Sequence, residues 1–88
     1  MTEANARAAT LALLAERAEG ATICPSEVAR ALADSHRDDP TAPNWRDWMP
    51  MVHEAVDRLV AEGLVQLSWK GRRLAARNGP YRIRDARP

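Results

Sequence analysis

Few side chains in this sequence carry the chemistry of a catalyst. The sharpest is Cys24, which stands immediately before Pro25 at the start of a helical stretch, where the dipole and free amides of a helix N-terminus favour a thiolate. A cysteine nucleophile needs a base. The two histidines, His36 and His53, fall in a polar loop and on a different helix, and no local motif ties either to Cys24. Helix capping, or packing as a small apolar group, is the better reading of Cys24. One cysteine and two separated histidines also lack the paired spacing of a zinc site, and Asp38 with Asp39 lacks the interleaved oxygen ligands and glycine of a calcium loop. Asn78-Gly79-Pro80 reads as a turn, with no helix after it to present amides to a phosphate. These absences predict no enzyme, no metal, no cofactor and no evident small-molecule substrate.

Charge is the informative property. The net charge is only +1 over 88 residues, but through Glu62 six arginines face eleven acidic residues, a net −5. From Gly63 onward Lys70 and six arginines face Asp85 alone, a net +6. A basic C-terminal third suits a polyanion or an acidic protein surface, and arginines on a solvated hairpin also serve solubility. The longest uncharged run, Ala8 to Ala15, falls far short of the roughly 18 apolar residues that span a bilayer. The N-terminus has neither the basic start nor the apolar run of a signal peptide, and a single cysteine fits a reducing compartment, so the expectation is a cytoplasmic protein without a membrane role.

The elements that must position these charges follow from periodicity. Asn5 to about Ala18 repeats apolar residues at Leu11, Leu14, Ala15 and Ala18, one face of a helix that Gly20 ends. Ala21, Thr22 and Ile23 form a short bridge able to pair with the edge of a later hairpin. Cys24 then caps a second helix, with Pro25 at its first position and Glu27 near its free amides, and Val28, Ala31 and Leu32 on the buried face. Asp34 to Asn44 is a polar loop with two prolines. Asn44 caps a third helix whose core face is Val52, Ala55, Val56, Leu59 and Val60, closed by Gly63, and Pro50 predicts a kink or a restart after Met49. Trp45 and Trp48 at its start read as packing residues rather than contacts. Beyond Gly63 the period becomes two: Val65, Leu67 and Trp69 oppose Gln66 and Ser68, Lys70-Gly71 makes a tight turn, and Arg72 to Ala76 return as the partner. After the Asn78-Gly79 turn, Tyr81 and Ile83 alternate with Arg82 and Arg84. The shared parity of Val65, Leu67, Trp69, Tyr81 and Ile83 predicts one apolar face against the helices.

This order predicts a single domain over residues 1–88, with loose tails at 1–4 and 85–88. Its class is α+β, mostly helical: a winged helix-turn-helix of three helices, a short strand and a C-terminal β-hairpin wing. A three-helix bundle with a β tail fits less well, because Ile23 would have no sheet to join. The segments TICPSEVARAL at 22–32, WRDWMPMV at 45–52 and GPYRIR at 79–84 resemble a small family of bacterial proteins described only as a domain of unknown function. The resemblance runs from about Leu11 to Arg84 and implies a winged-helix-like fold, with no activity or ligand residues to carry over. Where the family's usual middle motif has Leu, this sequence has Trp48, and where it has a basic residue, this sequence has His53, which lowers the local positive charge.

Two binding readings stay open. The leading one is double-stranded DNA held by its backbone through the basic hairpin, with Lys70, Arg72, Arg73, Arg77, Arg82 and Arg84 as contacts and Arg46 as a secondary one. Ordinary major-groove docking of the third helix is disfavoured, because Glu54, Asp57 and Glu62 outnumber Arg58 on its outer face. The other reading is a protein-interaction module, a homodimer or a complex with another protein, in which acidic helices and a basic hairpin supply complementary charge.

Overall fold

The computed structural model describes residues 3–87. Its elements are α1 (Glu3–Ala15), β1 (Thr22–Ile23), α2 (Pro25–Ser35), α3 (Trp45–Ala61), β2 (Val65–Trp69), β3 (Arg72–Leu74) and β4 (Arg82–Asp85). Helices α1 and α3 lie against a four-stranded antiparallel sheet and α2 packs on both of them, an α+β arrangement with strand order β1-β4-β2-β3. The last strand is therefore interior. It pairs with β1 through Ile23 opposite Ile83 and with β2 through Leu67 opposite Ile83, which gives the two-residue β1 its partner.

The core follows the predicted periods except that Ala29 is buried in place of Ala31 and Val60 is only half-buried. From α3 it takes Val52, Ala55, Val56 and Leu59, from α2 Val28, Ala29 and Leu32, and from the sheet Ile23, Val65, Leu67 and Ile83. Pro25 opens α2 as its first residue, and Asn44 caps α3 by accepting the Arg46 N–H at 2.9 Å. Trp48 is 1% exposed and anchors the start of α3 in the core; its buried indole N–H has no hydrogen-bond partner among the described residues.

Several expectations are corrected. Helix α1 ends at Ala15, not Ala18, and buries Ala6, Thr10 and Leu14, whereas Ala15 and Ala18 are exposed. With no apolar surface beyond Leu14 to bury, a further turn gains nothing from packing. Glu3 and Ala4 lie within α1 and Asp85 within β4, so those parts of the predicted tails are ordered elements; residues 1, 2 and 88 lie outside the described residues. Cys24 takes the cap position of α2 but makes no capping bond, and its sulfur instead accepts from the Ser26 hydroxyl at 3.1 Å. Helix α3 runs through Pro50 without a restart. Pro50 is exposed, where water can take the carbonyl its ring leaves unpaired.

The hairpin differs at its tip. Lys70 and Gly71 have φ of 52° and 79°, the two positive angles of a tight turn whose twist matches antiparallel strands. The returning strand spans only Arg72–Leu74. Trp69 shares the parity of Val65 and Leu67, yet it is 39% exposed rather than buried. It occupies the last position of β2, and its cross-strand neighbour is Arg72 instead of an apolar side chain.

Candidate nucleic-acid interface

Alternation along each strand sends one set of residues to the helices and the other to the opposite face. On that outer face the registers bring Thr22, Arg84 and Gln66 into one row across β1, β4 and β2. A second row is Arg82, Ser68 and Arg73, across β4, β2 and β3. Ser68 thus has an arginine on either side. Directly opposed side chains have Cβ atoms about 5 Å apart, so three guanidinium groups share a small polar patch.

These cations differ in how they are held. The guanidinium of Arg82 donates from Nε to the Thr22 hydroxyl at 2.7 Å and from Nη2 to the Thr22 carbonyl at 3.2 Å, which turns it toward β1 but leaves its charge unneutralised. The side chains of Arg73 and Arg84 make no hydrogen bond or ion pair among the described residues, and neither do those of Lys70 and Arg72 at the hairpin tip. All four are exposed. Gly20, Thr22, Gln66, Ser68, Arg73 and Arg84 line a groove of about 250 Å³ on the outer face. It shares Gly20, Gln66 and Arg84 with a second groove of about 490 Å³ that passes Arg17 and Arg87, whose guanidinium groups are paired with Glu27 at 3.0 Å and Asp85 at 2.7 Å. Polar side chains and unpaired guanidinium groups along such a track can accept a row of anionic oxygens.

Arg77 belongs elsewhere. Its Nε and Nη2 meet the Asp57 carboxylate of α3 at 2.7 and 2.8 Å, and that pair holds the Asp57 carboxyl below the usual carboxylate range. The same loop is pinned a second time, by a 2.6 Å hydrogen bond between His53 Nδ1 and the buried Tyr81 hydroxyl. Burial, reinforced by the nearby Arg77 charge, lowers the His53 pKa, and burial raises that of Tyr81 well above the ordinary phenol value.

The outer side of α3 is more balanced than its own residues suggest. Glu62 is gripped by both terminal nitrogens of Arg7 at 2.6 and 2.7 Å, and Arg58 reaches Glu3 at 2.8 Å. Asp47 and Glu54 keep no cationic partner among the described residues. Arg46 lies on the first turn of α3, apart from the sheet cations, and its guanidinium stands 4.5 Å from the Trp45 ring centroid, as does that of Arg30. The Trp45 ring is thereby occupied by protein cations.

Cys24, His36 and His53 make no hydrogen bond to one another among the described residues, although Cys24 and His53 both lie near the Tyr81 hydroxyl. The Cys24 sulfur is paired with Ser26, while His36 Nδ1 lies 2.9 Å from the Leu32 carbonyl and its ring lies tilted by 39° against Trp48, centroids 5.2 Å apart. Among the described residues no group of three His, Cys, Asp or Glu side chains is placed to hold a metal ion. No helix among them is long and apolar enough to cross a membrane.

Sequence reasoning singled out the arginines of this surface but not Thr22, Gln66 and Ser68, the neutral polar groups between them. The signal was present in the alternation of Gln66 and Ser68 against Val65 and Leu67. A family model described as "Protein of unknown function (DUF3253)" matches residues 3–86, nearly the whole chain. No curated protein matches it.

Proposed function

We propose for this chain, which belongs to the DUF3253 family, a non-catalytic role as a winged-helix-type module that binds nucleic acid by its phosphate backbone. One observation carries the reading: Lys70, Arg72, Arg73 and Arg84 are exposed on the hairpin and outer sheet face without a counter-charge among the described residues. Cations left unpaired and close together repel one another, and a polyanion relieves that repulsion while releasing its own counterions.

The order helix, short strand, two helices and antiparallel strands supports the winged-helix assignment, with β1 joined to β4 and β4 to β2. In this reading the wing is the segment between β2 and β4. Its first part, β3, lies back along β2, so the wing cations form a flat surface rather than a probe. Such a surface reaches phosphates but few base edges, and its contacts are largely independent of sequence. Helix α3 takes a supporting role. Its unpaired Asp47 and Glu54 oppose entry into a major groove.

Fluorescence anisotropy with a short labelled duplex tests the proposal. Replacing Lys70, Arg72, Arg73 and Arg84 together with Gln should lower affinity about tenfold or more at about 50 mM salt. Replacing Asp47 with Asn and Glu54 with Gln should change it little; a marked gain would instead put α3 against the duplex. Unchanged binding by the fourfold variant, still folded by circular dichroism, refutes the hairpin surface. No binding by the wild type, to a duplex or to a single strand, refutes nucleic-acid recognition and leaves the protein-interaction reading.

A further inference from the structure

We infer that Trp69 is a stacking platform for an unpaired base, so that the hairpin tip selects single-stranded over fully paired nucleic acid. The inference rests on the nucleic-acid reading above and names its substrate class. Trp69 is the one large apolar residue more than a third exposed among the described residues. A tryptophan presents up to about 250 Å² for burial, so 39% exposure leaves about 100 Å² of the residue uncovered. The residue directly opposite it on β3 is Arg72 rather than an apolar side chain, so part of it stays open to solvent.

The surroundings suit a nucleotide. Lys70 and Gly71 form a tight two-residue turn, so the backbones that carry Trp69 and Arg72 are held side by side. Lys70 follows Trp69 directly and Arg72 faces it across the strands, both without a counter-charge among the described residues. A base laid on the ring therefore has cations within reach of its flanking phosphates. Stacking on an aromatic ring tolerates any base, since every base has a π-face. In a duplex those faces already stack on their neighbours and must be unstacked first, which sets the preference for single strands. The tryptophan that begins α3 cannot share this role, because Arg30 and Arg46 already lie against Trp45.

The test compares a labelled poly-dT oligonucleotide with a duplex of equal length in the same buffer, for the wild type and for Trp69→Ala, Trp69→Leu and Trp69→Phe. The wild type should prefer the single strand. Trp69→Ala and Trp69→Leu should lose about tenfold in single-strand affinity, with duplex affinity within about twofold of wild type, and Trp69→Phe should stay within about threefold. If Trp69→Ala fails to fold, the Leu and Phe pair carries the test, since Leu keeps an apolar side chain without a π-face. Equal loss on both ligands, or full binding by Trp69→Leu, overturns the stacking role and leaves backbone binding intact. A wild type that prefers the duplex does the same. Absence of binding to either oligonucleotide overturns both readings, and binding instead to vesicles containing phosphatidylserine, weakened by Trp69→Ala, would reassign the tip to a lipid surface.

Discussion

Under the proposed nucleic-acid reading, the salt dependence of binding counts the cations of the hairpin and sheet that meet phosphates. Four are exposed and free of counter-charge among the described residues, namely Lys70, Arg72, Arg73 and Arg84. Each phosphate neutralised on duplex DNA contributes about −0.9 to the slope of log affinity against log salt, so four give about −3.6. Between about 50 and 200 mM salt, affinity for a duplex should fall about 150-fold; for a single strand, at about −0.7 per phosphate, the fall is about 50-fold. Removing Arg73 or Arg84 singly should make the slope shallower by about one unit, whatever the sequence of the probe. Arg77 is the internal control. Its charge is held by Asp57, so Arg77→Gln should leave the slope unchanged and lower stability by no more than about 1 kcal/mol, as for other exposed pairs. Anisotropy titrations at four salt concentrations, with thermal melts of each variant, supply both readings. A wild-type slope shallower than about −1.8, or an Arg77→Gln slope change as large as that of Arg84→Gln, would refute the division between free and committed cations.

Other outcomes follow from burial and from protonation. Trp48→Ala should cost about 3 to 5 kcal/mol in chemical denaturation, because a ring 1% exposed leaves a cavity, whereas Trp69→Ala should cost about 2 kcal/mol, since solvent fills the space. Equal losses would contradict the placement of the two rings. Wild-type stability should decline as pH falls below about 6.5, where the unfolded chain protonates His53 while the folded chain, its His53 pKa lowered by burial and by Arg77, resists. His53→Gln should flatten the curve between about pH 5 and 6.5, above the range in which the paired carboxylates begin to protonate; an unaltered pH profile in that variant would refute the assignment.

Local signals specified much of this protein. Pro25 and Asn44 mark helix starts because a missing N–H and a side-chain acceptor act within one turn, and the period of two at Val65, Gln66, Leu67 and Ser68 assigns a strand and its two faces without reference to anything distant. The split of charge along the chain is likewise a property of the sequence, as is its concentration of cations after Gly63. Which of those cations are free was decided by the tertiary structure. Placing β4 between β1 and β2 sets Arg82 and Arg73 on either side of Ser68, and packing the loop after β3 against α3 gives Arg77 to Asp57. Arg7 finds Glu62, 55 positions away, only because α1 lies along α3. Trp69 shows the same division: its parity was legible, but the residue opposite it was set by the turn and register, which place Arg72 there and leave Trp69 39% exposed. Periodicity reports which side of an element a residue occupies, and only long-range packing determines what covers that side.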